Sequence, residues 1–241
     1  MEACRYPLPK LLQNNKSDIL EAFAHATGSP YDTQKWRDSF PDDDDLSDIL
    51  KRFPGRITRT NVRTISEEAR AGGYHEVHKL FLASMVWGWA GIPDGPSKTR
   101  RMLSAQTAEE MLRATARRIE GSKIDEAYRH FDLPPCIPAF FTKFFYFVGL
   151  GAETRPLPLV LDHWVAVALE RICAEEGWKA AEFVKRTGWN VERYPEGYVR
   201  YVCCMSSWAE ALGCGYRKAD SIEYFLFKLG QSLGKRRKTL R

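Results

Sequence analysis

Ile137-Pro-Ala-Phe-Phe-Thr-Lys143-Phe-Phe-Tyr-Phe-Val-Gly-Leu-Gly-Ala-Glu-Thr-Arg-Pro-Leu-Pro-Leu-Val-Leu-Asp162 is the stretch whose reading organises the rest of the chain. It opens on a proline turn, runs through an aromatic segment holding one lysine, and closes on an aspartate that starts another helix. Lys143 is flanked by Phe140, Phe141, Phe144, Phe145 and Phe147. An ammonium in such apolar surroundings is disfavoured, so its pKa is expected to fall toward the neutral amine, which is how a nucleophilic lysine is made. Asp162 follows Leu-Pro-Leu-Val-Leu and precedes His-Trp-Val-Ala-Val-Ala-Leu-Glu-Arg, where a side-chain oxygen caps the first turn of an amphipathic helix. Taken singly, a snorkelling lysine and an ordinary helix cap also account for these two residues.

Upstream of this stretch, Leu133-Pro-Pro-Cys-Ile-Pro138 breaks sharply from a short helix expected over Ser122–Phe131. The unit is therefore helix, tight break, helix. Downstream, the apolar spacing predicts a short helix over Trp178–Arg186 ended by Thr187-Gly188, a longer one over Glu196–Leu212 and a last one over Ala219–Leu233. Gly197–Cys203 is ambiguous between helix and strand, and a basic tail over 234–241 is expected to be a disordered electrostatic arm.

Toward the N-terminus, Lys16–Thr27 places Ile19, Leu20 and Phe23 on one helix face. The run Asp42-Asp-Asp-Asp45 leads into Leu46, Ile49, Leu50 and Phe53; acidic residues at a helix start complement the macrodipole, the reading preferred to a metal site. Thr58–Ser66 is polar and reads as a connector. Glu76–Trp89 is apolar almost all round and belongs in the middle of a domain. His75 and His78, three apart without a cysteine or carboxylate at ligand spacing, read as surface histidines. From Gly95 to Lys123 the chain turns basic, in part on a helix over Thr107–Glu120 whose Met111, Leu112 and Ala116 face inward.

The quoted stretch resembles the helix-hairpin-helix DNA glycosylases, in which a Leu-Pro-Gly-Val-Gly-x-Lys hairpin is followed by a capping aspartate. The separation 162 − 143 = 19 residues resembles the 8-oxoguanine glycosylase branch, and the match covers about residues 122–175. The resemblance implies an all-α fold of two helical subdomains with the active site in the cleft between them. It implies Lys143 as Schiff-base nucleophile and Asp162 as catalytic carboxylate. The position four after the lysine, which lines the base pocket in that branch, is Phe147. Ala139 and Phe141 stand where the hairpin glycines would be, so the identity of the excised base is not carried over.

Substrate contacts are expected from Phe147, Phe140, Trp87, Trp89 and Trp208, and DNA contacts from Arg100, Arg101, Thr142 and His163. The expected partner is double-stranded DNA with a modified base. No cofactor or metal is expected, and a monomer is. Two biological settings are open, repair of an oxidised purine and attack on hypermodified phage DNA; a helical DNA-binding protein without catalysis is the second class of function.

With 241 residues and 44% hydrophobic content the chain can bury a sizeable core, read as one helical unit over 1–241. A net charge of +5 permits a polyanionic partner. Cys4, Cys136, Cys173, Cys203, Cys204 and Cys214 include no C-x-x-C pair, and their spacings fit neither a zinc site nor a four-cysteine iron–sulfur loop. They are expected to be reduced and largely buried. With no signal-like N-terminus and no long apolar run, a soluble protein of the cytoplasm or nucleoid is expected.

Overall fold

The computed structural model describes residues 5–21, 28–72, 76–213 and 218–239. Among these the fold is all-α, as expected. The elements in order are α1 (Lys10–Asn14), α2 (Lys16–Leu20), β1 (Ser29–Pro30), α3 (Thr33–Ser39), α4 (Asp44–Arg52), β2 (Arg56–Ile57), α5 (Arg59–Ala71), α6 (Val77–Trp89) and α7 (Gly95–Leu103). Then come α8 (Ala108–Glu120), α9 (Ile124–His130), α10 (Pro138–Ala152), α11 (His163–Glu176), β3 (Arg186–Thr187), β4 (Asn190–Val191), α12 (Pro195–Ala211) and α13 (Ala219–Thr239). The strands form two minimal antiparallel pairs, β1 with β2 and β3 with β4.

The chain divides into two compact units. The first comprises Met1–Ala26, Ile137–Thr142 and Arg155–Arg241; the second comprises Thr27–Cys136 and Lys143–Thr154. Helix α10 passes from the first into the second between Thr142 and Lys143.

In the second unit α6 is the axis, packed by α4, α5, α7 and α8. Val77, Leu80, Phe81, Leu82, Ala83, Met85 and Val86 are all fully buried, as an apolar surface on every side of a helix demands. Asp43 caps α4 by accepting from the Leu46 amide at 2.9 Å, with Asp44 and Asp45 in the first turn. The aspartate run thus starts a helix, and Asp43 also pairs with His78 at 3.2 Å. Among the described residues no group of three His, Cys, Asp or Glu side chains is placed to hold a metal ion, and His75 lies outside them.

In the first unit α11 lies along α13. The approach is so close that a Cβ at Gly230 would stand 2.0 Å from the Trp164 carbonyl oxygen. Trp208 is buried with Tyr6, Trp178 and Phe183, its Nε1 donating to the Tyr6 carbonyl at 3.2 Å.

Several expectations are corrected. Thr58–Ser66 is not a connector but most of α5: Thr58 and Asn61 form a reciprocal capping box, and the polar first turn conceals a buried face of Val62, Ile65, Ser66 and Ala69. Trp178–Arg186 holds only a 3-10 turn at Ala180–Glu182 before β3, because adjacent Phe183 and Val184 are both buried and Gly188, at φ 60°, makes a hairpin turn. Gly197–Cys203 is helical. The last helix runs to Thr239, so the backbone of the basic tail continues α13 as far as that residue; lysines and arginines propagate a helix well and suit its C-terminal end. Helix α2 is described as far as Leu20, and Phe23 lies outside the described residues.

Cys136, Cys173 and Cys203 are thiols rather than disulfides, and burial pushes the Cys173 thiol up to about 11. Cys204 is disulfide-bonded, against the expectation of six reduced thiols. Cys4 and Cys214 lie outside the described residues.

Candidate active site

The segment that delivers Asp162 is buried from Leu157 to Leu161, so its backbone polar groups need partners within the protein. Tyr198 and Tyr201, three apart on one face of α12, donate their hydroxyls to the carbonyls of Leu159 at 2.8 Å and Val160 at 2.9 Å. The next amide, Leu161 N–H, donates to Thr142 Oγ1 at 3.1 Å. Thr142 Oγ1 in turn donates to the Pro138 carbonyl at 2.7 Å. Thr142 was expected to contact DNA; it is instead fully buried, its hydroxyl used in both directions. It joins the residue before Lys143 to the residue before Asp162. Thr142→Val should cost about 1–3 kcal/mol by leaving the Leu161 amide buried without an acceptor, and Thr142→Ser should recover most of it. Denaturant unfolding of the two variants checks this.

Asp162 has extended backbone, and its Oδ1 accepts from the amides of Trp164 at 2.9 Å and Val165 at 3.0 Å. Both capping bonds fall on one oxygen. Among the described residues Oδ2 carries no hydrogen bond, and Asp162 is partly exposed. The carboxylate is thus fixed by one oxygen and available through the other.

Lys143, one residue into the second unit, is only 8% exposed. Its Nζ donates to the Gly88 carbonyl of α6 at 3.1 Å. A Cβ at residue 88 would fall 2.7 Å from Lys143 Cδ, so glycine there makes room for the lysine stem. Phe144 and Phe145 anchor α10 among Phe81, Tyr128 and Phe131, and Ser66 of α5 donates its hydroxyl to the Phe147 carbonyl. The lysine helix is therefore held on both sides of Lys143.

The aromatic candidates divide by environment. Phe147 is buried, edge-on to Trp87 at 5.2 Å, and Trp87 is partly exposed and next to Gly88. Arg59 lies over both Trp87 at 5.1 Å and Tyr146 at 5.0 Å, an aromatic cradle that the sequence reading missed. Phe140 is partly exposed. Trp89 and Trp208, expected at the substrate, are packing residues: Trp89 is 5% exposed with Nε1 donating to Thr99 Oγ1 at 3.0 Å, and Trp208 is 2% exposed. Arg100 and Arg101 are exposed in the last turn of α7. Arg100 lines an open cavity of about 530 Å³ with Asp42, Asp43, Asp44, Asp45 and His78.

His163 stacks on Trp189 with ring centroids 4.0 Å apart and meets Trp164 edge-on at 4.7 Å. Arg186 donates from Nη1 to His163 Nδ1 at 3.2 Å while gripping Glu170 through two bonds of 2.7 Å. Burial, and then the Arg186 charge, hold the imidazole below its ordinary 6.5; the charges of Asp162 and Glu170 and a hydrogen bond to the Trp189 backbone oppose this. A folded value below the unfolded one means that the unfolded chain binds the extra proton. The neutral ring's contribution to stability is therefore complete above about pH 6.5 and is lost as pH falls through the depressed value. An NMR titration of His163 should give a midpoint below that of an unstructured histidine, and His163→Gln should flatten this part of the pH–stability curve.

Among the described residues no helix is long and apolar enough to cross a membrane. Comparison with curated proteins and with solved structures found no match. A family model described as "Putative 8-oxoguanine DNA glycosylase OGG-like protein" matches residues 23–227. That span includes the lysine helix, the capping aspartate and the clamp of Thr142, Tyr198 and Tyr201, and the chain belongs to this OGG-like DNA glycosylase family.

Proposed function

We propose that this protein takes a modified base, in the first place an oxidised purine, out of duplex DNA and breaks its N-glycosidic bond, with Lys143 as nucleophile and Asp162 as a fixed anion. The observation that supports this reading is the hydrogen bond from Leu161 N–H to Thr142 Oγ1, which fastens together the backbone positions just before the two residues. A lone snorkelling lysine and a lone cap would need no such tie.

The chemistry follows from the two environments. Attack requires the unprotonated amine. Nζ forms a bond to the anomeric carbon as the glycosidic electron pair leaves with the base, which takes up a proton. The secondary ammonium then loses a proton, the sugar ring opens to an imine, and β-elimination of the 3′ phosphate follows from that imine. Positive charge develops on the sugar as the bond breaks, and Asp162 Oδ2 supplies the opposing charge. Extrusion of the base costs a few kcal/mol, least for a damaged or mispaired base. Phosphate contacts offset that cost, and each lowers affinity with salt by a slope of about 0.9.

Single-turnover base release, measured by mass spectrometry on a panel of duplexes with oxidised purines and on phage DNA with hypermodified bases, tests the proposal. Release of an oxidised purine with a steep salt dependence is expected. Release from phage DNA alone moves the activity to defence by the same chemistry, and no release from any DNA despite tight binding leaves a non-catalytic DNA-binding protein.

A further inference from the structure

Trp189 is 61% exposed, the highest value among the large hydrophobic side chains at the surface of the described residues. It sits at the turn between β3 and β4, with Arg186 paired to Val191 and Thr187 paired to Asn190. One face of the indole is covered by the His163 ring, 28° from parallel, and Trp164 abuts it edge-on at 5.2 Å. The support beneath is rigid: Arg186 donates to the Gly188 carbonyl at 2.8 Å, to His163 and to Glu170, tying the turn to α11. His163 directly follows Asp162 in sequence.

Exposure of so large an indole costs stability, and nothing in the packing requires the hairpin to point it outward. Along residues 185–193 the chain carries Lys185, Arg186 and Arg193 against Glu192; Arg186 is paired with Glu170, Lys185 lies over the Tyr194 ring, Arg193 over the Phe141 ring, and Glu192 is hydrogen-bonded by Thr187. A flat π-face braced from behind suits a nucleobase, since every base has a π-face whatever its sequence.

We propose that the open face of Trp189 is a stacking platform for a nucleobase displaced from the DNA stack. This rests on the reading of the protein as a DNA glycosylase and adds to it a contact made on the Asp162 side of the chemistry. The base is either the target or a neighbour unstacked when the target leaves. A platform already braced by His163 binds without the entropy of ordering a flexible side chain.

The test compares wild type, Trp189→Ala and Trp189→Phe on duplexes carrying 2-aminopurine at an unpaired target position or at the adjacent position. Trp189→Ala should bind on the order of tenfold more weakly than wild type, the scale of losing one base–aromatic stack, with Trp189→Phe retaining most of the affinity. The salt slope should be the same in all three, because no charge is removed. A fluorescence change that depends on Trp189 only when the probe is at the target position assigns the target base; one seen only at the adjacent position assigns the neighbour. Equal affinity and equal probe fluorescence in wild type and Trp189→Ala, with unchanged thermal unfolding, would overturn the platform while leaving the glycosylase reading intact. Wild type that binds no DNA overturns both.

Discussion

Lys143→Gln should leave no enzyme–DNA adduct trappable by borohydride and should slow base release on the order of a thousandfold or more, about 4 kcal/mol in the barrier. Glutamine cannot form an imine, so an adduct that persists in the variant would assign the Schiff base to another amine. The substitution keeps a donor for the Gly88 carbonyl, which Lys143 Nζ engages at 3.1 Å, and keeps most of the stem that Gly88 accommodates. Folding should therefore survive, and a DNA-binding assay together with thermal unfolding verifies that it has. If wild type releases base but never traps, the enzyme is monofunctional. Lys143 then has another role, and the ring-opening step above is removed.

The helices around this lysine were legible because their signals are local. Glu76–Trp89 announced a central helix by being apolar on all sides, and Asp162 announced a cap by standing between an apolar run and a periodic segment. The family match accords with the all-α class and with the resemblance read from the lysine-to-aspartate stretch. What escaped was the partner of each candidate residue. Gly88 accepts Lys143 from 55 residues away, and Tyr198 and Tyr201 clamp the segment before Asp162 from 39 and 41 residues away. At helical spacing a tyrosine that packs and a tyrosine that holds a carbonyl look alike. The burial of Trp89 and Trp208 was hidden for the same reason, since a tryptophan in a periodic segment gives no sign of whether its ring is covered. Trp189 was missed because Thr187-Gly188 was read as the end of a helix, although a glycine between β-formers also signals a hairpin.

Asp162→Asn separates a charge from a cap. If the residue only starts α11, asparagine serves nearly as well: the amide oxygen takes the place of Oδ1 and still accepts from Trp164 and Val165, and activity follows stability. The lost interaction of the negative charge with the helix N-terminus is about 0.3–1 kcal/mol, a small change in melting temperature. If Oδ2 stabilises the cationic sugar, the same isosteric change should slow base release on the order of a hundredfold or more, equivalent to losing a preorganised contact of about 3 kcal/mol. DNA affinity should hold or rise, because a carboxylate near phosphates repels them until the sugar becomes positive. The two readings therefore predict opposite pairings of stability with rate. Single-turnover excision measured beside thermal unfolding decides between them: release at the wild-type rate leaves Asp162 as a cap and nothing more.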